Sequence, residues 1–309
     1  MKNWVAINGK FTEENDKIVF HGGILEQADE TSNTINSQAK CGIILFDDLL
    51  SNGEIEVTVK FDSLDTYDEA QIVFNFEDRS NFMCVGITNG IAKYEHKSFN
   101  SKWDLIKLSG FDVELLQKDY NLKVCIVGST ISLFVNGIKI FSSTSNLPIA
   151  KTNVGMWVRS KSKIMISNFC TDSQKPSAFI VSQFGEKYDI LYKDVIRPIC
   201  EENGYMPLRG DEMPTNTAIL DDIIKSIKDC AVIIAEITPD NPNVFYEIGY
   251  AHALNKPTIL LCEKTCRSKL PFDLSGFRTI FYDNSIGGKN LIESQLQKHL
   301  QALNSSAVR

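Results

Sequence analysis

The sequence predicts two domains of different class, an all-β sandwich followed by an α/β domain with a parallel sheet. Residues 1 to about 170 hold many short strand patterns separated by turn signals, which is typical of two packed antiparallel sheets. From Ala178 onward, short aliphatic runs alternate with helical patterns, which predicts a parallel sheet with right-handed crossovers. A polar, proline-containing stretch, TDSQKPS at 171–177, separates the two patterns. We therefore place the domains at residues 1–172 and 173–309.

The composition excludes several classes of partner. Of 309 residues, 43% are hydrophobic and 23% are charged, which is enough apolar material for two cores. The net charge is −7 with no basic stripe or tail, so neither nucleic acid nor an anionic membrane is expected as a partner. The start, MKNWVAINGKF, lacks the apolar core of a signal peptide, and no run approaches a membrane span. We expect a cytoplasmic protein.

The eight cysteines fit a reducing compartment. Cys84, Cys125 and Cys200 stand inside apolar runs and are expected to behave as small buried hydrophobes. Cys262 and Cys266 form one CxxxC with no second pair of ligands nearby. Neither a zinc site nor a disulfide framework is therefore expected, and we predict no metal.

Nine strands are predicted in the first domain. Alternation of polar and apolar residues is clearest in EIEVTVKF at Glu54–Phe61. Asn136-Gly137 between two apolar runs predicts a hairpin with a type I′ turn. The predicted strands are Cys41–Phe46, Glu54–Phe61, Gln71–Phe76, Phe82–Thr88, Leu122–Val127, Ile131–Val135, Ile138–Phe141, Val154–Val158 and Ile164–Phe169.

The order of these features resembles the concanavalin-like or LamG-like jelly rolls, which often end in stretches similar to YNLKVCIVGSTISLFVNGIKIF and VGMWVRSKSKIMISNF. The resemblance implies a jelly-roll sandwich for sensing or self-association, with glycans as one class of ligand. Four aromatic residues are either a binding surface or core and rim side chains, and the second interpretation is favoured: Tyr94, His96, Trp103 and Trp157. Four acidic residues form a cluster in one loop: Asp62, Asp65, Asp68 and Glu69. They are either a solvent-exposed face or a calcium site, and the first interpretation is favoured.

The second domain is predicted to be a flavodoxin-like, three-layer α/β unit. Its strands are expected at 178–181, 205–208, 231–238, 258–262 and 279–282. Four helices are expected: one at 188–202, one that begins after a cap at Asn216 or Thr217, one that contains Glu247, and one at 290–303. In a flavodoxin-like order the first and third strands are neighbours, and their outgoing loops part to opposite faces. The loops Ser182–Glu186 and Thr238–Asn243 are therefore expected to meet at one crevice.

One carboxylate stands beside that crevice. Asp240 or Asn241 can cap a helix that begins near Pro242, and Lys256-Pro257 ends it. Glu247 then falls in the second turn of a helix that leaves the carboxyl end of a strand, which is where open α/β sheets bind ligands.

The segment NPNVFYEIGYAHALNKPTILL also resembles two enzyme families. It is similar to the nucleoside 2-deoxyribosyltransferase-like proteins, whose catalytic glutamate stands in a similar E-(L/I)-G-Y-A context. It is similar as well to TIR-type NAD hydrolases, which carry a glutamate on the helix after the third strand. The resemblance covers about residues 177–285, and both families map that glutamate onto Glu247. It implies cleavage of an N-glycosidic bond.

The chemistry asks for a carboxylate beside the sugar. Cleavage gives the sugar an oxocarbenium-like charge, which a carboxylate stabilises or captures as a covalent intermediate. Because Glu247 lies near a helix N-terminus, we expect it to stay ionised, which suits a nucleophile or charge stabiliser better than a general acid.

Nine further residues are candidates for substrate binding, and most have a structural alternative. In the loop after the first parallel strand, backbone N–H groups can hold a phosphate. The candidates from this loop are Ser182, Phe184 and Gly185. Asp240 and Asn241 are caps or ligand contacts, Asn243 orients ribose hydroxyls or shapes a turn, and Tyr246 stacks on a base or packs in the core. Arg209 and Asp211 follow the second strand and are substrate contacts or surface charges.

The sequence departs from both families. It places fewer acidic residues around the sugar than deoxyribosyltransferases do, and Val244-Phe245-Tyr246 replaces the aromatic-cysteine signature of many TIR domains. We expect hydrolysis of NAD or a related nucleotide without a required cofactor, by a homo-oligomer whose assembly through the sandwich activates it, as in bacterial defence effectors. Base exchange between nucleosides and a non-catalytic nucleotide-binding module stay open as alternatives.

Overall fold

A computed structural model of the chain describes residues 3–29, 34–66, 68–115, 119–145, 149–212, 219–267, 270 and 272–304. An antiparallel sandwich comes first and a parallel α/β unit follows. Within these residues no helix is both long enough and apolar enough to cross a membrane.

Fifteen strands build the sandwich. They are β1 (Trp4–Asn8), β2 (Phe11–Glu14), β3 (Lys17–His21), β4 (Ile24–Asp29), β5 (Thr34–Leu50), β6 (Gly53–Phe61), β7 (Glu69–Asp78), β8 (Asn81–Thr88), β9 (Tyr94–Asn100), β10 (Trp103–Ser109), β11 (Asp119–Val127), β12 (Thr130–Val135), β13 (Ile138–Thr144), β14 (Thr152–Ser160) and β15 (Lys163–Ser173). One sheet has the order β1-β5-β14-β7-β8-β9-β10, with β4 paired to β5, and the other has the order β13-β12-β11-β6-β15-β3-β2. The predicted sandwich is confirmed.

Alternating side chains fill the space between the two sheets. In β6, Ile55, Val57, Val59 and Phe61 are fully buried, while the residues between them are not. Asn136 and Gly137 both have positive φ, 50° and 79°, and join the paired residues Val135 and Ile138, as a type I′ turn requires. All nine predicted strands are present, and the sequence missed β1–β4, β9 and β10.

The predicted aromatic residues are mainly core and rim. His96 is fully buried; its Nδ1 lies 2.7 Å from Ser143 Oγ, and burial lowers its pKa to about 4. Trp157 is also buried, and Trp103 packs edge-on against it with 5.3 Å between ring centroids. The core interpretation is thus confirmed for His96 and Trp157, whereas Trp103 is exposed and Tyr94 is half-buried.

The acidic loop is only partly a solvated face. Asp62 and Asp65 are exposed, as predicted. Asp68 and Glu69 are buried, so the prediction was wrong for them. Asp68 accepts a hydrogen bond from the backbone N–H of Asp65, and Glu69 forms ion pairs with Lys97 (2.6 Å) and Arg159. Such partners are what allow a carboxylate to leave water.

The α/β unit has five parallel strands in the order β17-β16-β18-β19-β20. They are β16 (Ser177–Val181), β17 (Met206–Arg209), β18 (Val232–Glu236), β19 (Thr258–Glu263) and β20 (Arg278–Tyr282). The helices are α1 (Glu186–Leu191), α2 (Arg197–Glu202), α3 (Ile219–Asp229), α4 (Pro242–Ala253) and α5 (Ile286–Asn304). This order, second-first-third-fourth-fifth, confirms the flavodoxin-like prediction.

Three details differ from the predicted elements. A π-helical segment, Tyr192–Ile196, joins α1 to α2 where one continuous helix was expected. The second strand is shifted by one residue, and α5 starts four residues before its predicted beginning at residue 290. The predicted cap at Asn216 or Thr217 lies outside the described residues.

Helices cover both faces of the parallel sheet. On one face Tyr192, Ile196 and Leu296 pack on Ile180 and Ile234. On the other face, side chains of α3 and α4 pack on the sheet, with Ile227, Val244 and Ile248 against Phe179 and Ile233. The predicted three layers are confirmed, and the side of the sheet under α3 and α4 is the one that carries the site described below.

The two units meet at the amino ends of the parallel strands. Gly128, in the β11–β12 turn, lies against the end of α3, where an added Cβ would stand 2.4 Å from Asp229 O and 2.5 Å from Cys230 O. A volume of about 30 Å³ remains in this seam, lined from the sandwich side by residues such as Ser145 and from the α/β side by residues such as Lys256. Only a residue without a side chain permits this approach.

We expect Gly128→Ala to destabilise the protein more than Gly137→Ala. Both glycines have positive φ, 58° and 79°, so each alanine carries the same kind of backbone strain, roughly 1–2 kcal/mol. A Cβ at Gly137 meets nothing within 4 Å, whereas one at Gly128 overlaps two carbonyl oxygens. We expect a further loss of about 1–3 kcal/mol for Gly128→Ala in equilibrium unfolding. Equal losses for the two variants would show that the seam does not form in solution.

Candidate functional site

A cavity of about 680 Å³ opens at the carboxyl ends of β16 and β18, on the side of the sheet covered by α3 and α4. Val181 and Ala235 pair across these two strands, so the loops that follow them start side by side. Eight of the ten predicted site residues line the cavity: Ser182, Phe184, Arg209, Asp211, Asn241, Asn243, Tyr246 and Glu247. Gly185 and Asp240 do not line it.

Glu247 is the sixth residue of α4 and is half-buried at the cavity wall. Within the described chain no hydrogen bond or ion pair holds its carboxylate. Burial alone raises its pKa to about 7. Burial therefore opposes the expected effect of the helix N-terminus, and Glu247 is less readily ionised than predicted. The dipole acts mainly within the first turn, and Glu247 lies in the second, where loss of water is the larger effect.

The N-terminus of α4 is capped by Asn241 rather than by Asp240. Asn241 Oδ1 accepts hydrogen bonds from the backbone N–H groups of Asn243 (2.9 Å) and Val244 (3.5 Å). Asp240 is exposed and pairs with Arg267. The capping Asn241 side chain also lies at the edge of the cavity. Tyr246 is 53% exposed, so the alternative that it packs in the core was wrong.

Arg209 is fixed at the opposite wall. Its Nε donates to Asp211 Oδ1 (2.6 Å), and its Nη2 donates to Asp189 Oδ1 (2.7 Å) and also to Asp211 Oδ2. Its Cζ lies 4.9 Å from the ring centroid of Tyr192 and 5.7 Å from that of Phe184. Arg209 is only 4% exposed, so the surface-charge alternative was wrong for it. Hydrogen bonds from its guanidinium lower the pKa of Asp211.

The loop after β16 brings Ser182 and Phe184 to the cavity. Phe184 is 61% exposed. The next residue, Gly185, has φ 146°, a backbone conformation that residues other than glycine rarely adopt. The Gly185 carbonyl accepts hydrogen bonds from the N–H groups of Tyr188 and Asp189, both at 2.9 Å. Gly185 thus shapes the start of α1 instead of lining the cavity.

Sequence reasoning missed the contribution of α3. Asp222 lines the cavity together with Leu220 and Ile223, and it adds a second carboxyl group on the helix opposite Glu247. Leu220 is 51% exposed and faces this cavity. The sequence LDDII offered two adjacent aspartates, and nothing in its period shows which one turns inward.

A buried glutamate holds the loop that leads to α4. Glu236 is 2% exposed; its Oε1 accepts hydrogen bonds from Thr238 N (2.9 Å) and Thr238 Oγ1. Thr238 Oγ1 in turn accepts a hydrogen bond from Glu263 N (3.0 Å). Burial raises the pKa of Glu236 to about 7. Because Glu236 stands inside a strand pattern, AVIIAEIT, sequence reasoning passed over it.

No metal site accompanies these groups in the part of the chain that is described: no three His, Cys, Asp or Glu side chains are arranged to hold an ion. All eight cysteines are free. Cys84 and Cys200 are buried as predicted, and Cys125 is half-buried.

We expect Glu247→Gln to raise the melting temperature, and to raise it more at pH 8 than at pH 4.5. Folding raises the pKa of the Glu247 carboxyl above its ordinary value of 4.5. Such a group does not reduce the free energy of unfolding below its unfolded pKa, but it reduces it progressively as pH rises towards 7. Glutamine removes that cost. The exposed Glu202→Gln is the control and should show no such pH dependence. An equal effect of Glu247→Gln at both pH values would contradict the burial of Glu247.

Solved structures that are similar to part of the chain share little sequence identity with it. A carbohydrate-binding module from Bacillus subtilis, CBM66, is 13% identical, with 55% of this chain and 96% of that chain covered and a TM-score of 0.43. A galectin-like protein from Bacillus subtilis is 11% identical, with 56% and 90% covered and a TM-score of 0.37. The galectin LEC-6 of Caenorhabditis elegans is 14% identical, with 38% and 84% covered and a TM-score of 0.29.

The cavity lies in the part of the chain that matches a family model. No curated protein matches the sequence. Residues 181–286 match the family model for nucleoside 2-deoxyribosyltransferase, and this range contains Glu247, Asp222 and Arg209. The match supports glycosyl transfer or hydrolysis at a nucleoside, and residues 181–286 are similar to nucleoside 2-deoxyribosyltransferases.

Proposed function

We propose that the C-terminal domain hydrolyses the N-glycosidic bond of NAD or a related nucleotide, with Glu247 as the carboxylate that acts on the sugar. The observation that supports this most directly is the carboxylate of Glu247, half-buried and without a partner in the described chain, at the wall of a cavity of about 680 Å³. Ligand pockets commonly measure about 300–1,000 Å³, so a nucleoside-sized group has room beside it.

The reaction follows from this placement. When the bond between C1′ and the base nitrogen breaks, its electron pair leaves with the base and the sugar becomes cationic. Glu247 stabilises that charge or forms an ester at C1′, and water then attacks C1′ and loses a proton. In NAD the leaving nitrogen is already cationic, so the base departs neutral without a proton. For a neutral base, Asp222 is the second carboxyl group at the cavity and a proton donor for the departing nitrogen. No cofactor is needed, since the nucleotide is itself the substrate.

We expect concentrated protein to release nicotinamide from NAD, and Glu247→Gln to lose at least 10²–10³-fold in rate. Glutamine keeps the size of the side chain and removes its charge, so the variant should still fold. Chromatography of the products measures both rates. Glu202→Gln, on the exposed end of α2, is the matched control and should keep the wild-type rate.

The same assay at two pH values tests the role of the carboxylate. With its pKa at about 7, the ionised form of Glu247 increases from about one tenth at pH 6 to about nine tenths at pH 8, so the rate should increase about tenfold. A rate that falls over this interval would show that Glu247 acts as an acid. A Glu247→Gln protein as active as the wild type would contradict the proposed role altogether.

Base exchange is the second candidate, and the family match favours it. The two reactions share the sugar intermediate and differ in whether water or an acceptor base takes the sugar. Incubation of a nucleoside with a second free base distinguishes them, because only exchange gives a new nucleoside. If wild-type protein binds nucleotides yet forms no product in either assay, the domain is a binding module in which Glu247 holds ribose hydroxyls.

We propose further that the sandwich is a sensing or self-association module, with a glycan as one class of ligand, and that assembly activates the hydrolase in the manner of a bacterial defence effector. The contact of Gly128 with the end of α3 supports a link between the units, since the same helix carries Asp222.

Assembly should be visible in the concentration dependence of the rate. We expect the rate per protein molecule to rise with protein concentration, in step with the mass measured by light scattering. A monomer at all concentrations with a constant rate per molecule would contradict activation by assembly, and it would leave the hydrolysis proposal intact.

A further inference from the structure

Two hydrogen-bond donors at the cavity wall have no partner in the described chain. They are the hydroxyl of Ser182 and the Nη1 group of Arg209, and both atoms are buried. Both residues line the cavity. Buried donors that stay unpaired are costly and rare in folded proteins, so a pair of them at one cavity indicates that a ligand supplies the acceptor.

Arg209 cannot turn to find another partner. A guanidinium has five N–H donors, and three of them, one on Nε and two on Nη2, face Asp211 and Asp189. The two N–H groups of Nη1 are left. Because these contacts and the ring of Tyr192 at 4.9 Å fix the guanidinium, Nη1 presents its donors in a constant direction. The acceptor must therefore come with the ligand.

The charges around Arg209 favour a neutral acceptor over a phosphate. Asp189 and Asp211 already outnumber the single positive charge of Arg209. A phosphate would add negative charge to this excess, and like charges in a partly desolvated site repel strongly. A carbonyl oxygen accepts hydrogen bonds through its two lone pairs and adds no charge.

The walls of the cavity suit a flat ring. Phe184, Leu220 and Tyr246 line it and are each more than half exposed, although they are large apolar or aromatic side chains. Arg209 ends β17, which is one strand from β16 and two from β18, and neighbouring strands lie about 4.8 Å apart. α4, which carries Glu247, follows β18. A sugar at Glu247 therefore leaves its base within reach of Ser182 and Arg209.

We infer that Ser182 and Arg209 form a subsite for the leaving base, and that this subsite selects bases with an exocyclic carbonyl oxygen, such as the carboxamide of a pyridinium base or the oxo group of a purine. This inference rests on the proposed function, because it takes the base end of an N-glycoside as the ligand. It names a class of substrate that the family match does not distinguish.

The test is a binding measurement that needs no turnover. Calorimetry on the Glu247→Gln protein compares inosine with purine riboside, which lacks the oxo group and the N1–H beside it. It also compares NAD with its nicotinic acid analogue, which carries a carboxylate in place of the carboxamide. We expect inosine to bind at least tenfold tighter than purine riboside, and NAD tighter than the analogue. Adding Ser182→Ala should reduce both ratios at least threefold. Ser275→Ala, whose hydroxyl bonds to Phe272 O away from the cavity, is the control and should leave both ratios unchanged.

Two results would overturn the inference. One is equal binding within both pairs of ligands. The other is tight binding of inorganic phosphate or a nucleoside 5′-monophosphate that Ser182→Ala abolishes, since this would make the subsite a phosphate site. Ser182→Thr keeps the hydroxyl and should retain the selectivity, which separates loss of the hydrogen bond from a folding defect. Selective binding without NAD cleavage would contradict the proposed hydrolysis alone, and cleavage without selectivity would contradict the subsite alone.

Discussion

The site depends on the pairing of β16 with β18. Their residues are more than fifty positions apart in sequence, yet Phe179 pairs with Ile233, Ile180 with Ile234 and Val181 with Ala235. The paired side chains are all buried, so a slip of register would exchange the two faces of the sheet and is strongly disfavoured. The chain then leaves β16 towards α1 on one face and leaves β18 towards α4 on the other. The divergence of these two connections creates the cavity.

The cavity also sets the protonation of its carboxyl group. Half-burial raises the pKa of Glu247 to about 7, and complete burial has the same effect on Glu236, which is held by Thr238. The two residues differ in their hydrogen bonds. Glu236 has hydrogen bonds that fix the loop before α4, whereas Glu247 has none in the described chain. A carboxylate that is half-buried and unpaired costs stability, and such costs are typical of residues retained for chemistry.

Much of this fold follows from periodicity. The alternation in β6, the Asn136-Gly137 turn and the aliphatic runs of β16, β18 and β19 are local signals, and the corresponding elements are present. The parallel order could be predicted because β and α elements alternate along the chain. Strand β1 was missed because an exposed edge strand carries little apolar period, and β1 has no buried residue.

The predictions that failed concern burial, which local sequence does not encode. Sequence left Arg209 open as a substrate contact or a surface charge, and only the tertiary fold brings Asp189 and Tyr192 around it. Glu69 is buried because Lys97 and Arg159 come from distant strands. Asp222 enters the cavity because of the rotation of α3, which two adjacent aspartates leave undetermined. The position of Glu247 at the cavity wall could be predicted from its helix and strand context together with the family resemblance, but its raised pKa could not.

The packing of Gly128 against the end of α3 has a thermodynamic consequence. Asn255 and Lys256, just beyond α4, line the same seam, so the two helices that present Asp222 and Glu247 to the cavity both reach the sandwich at their other ends. Under the proposed function, a ligand of the sandwich that strengthens or weakens the contacts in this seam more in one state of the cavity than in the other changes nucleotide affinity by some factor. Linkage requires that the nucleotide change the affinity of the sandwich for its own ligand by the same factor. The affinity of the sandwich for its ligand then depends on whether the cavity is occupied.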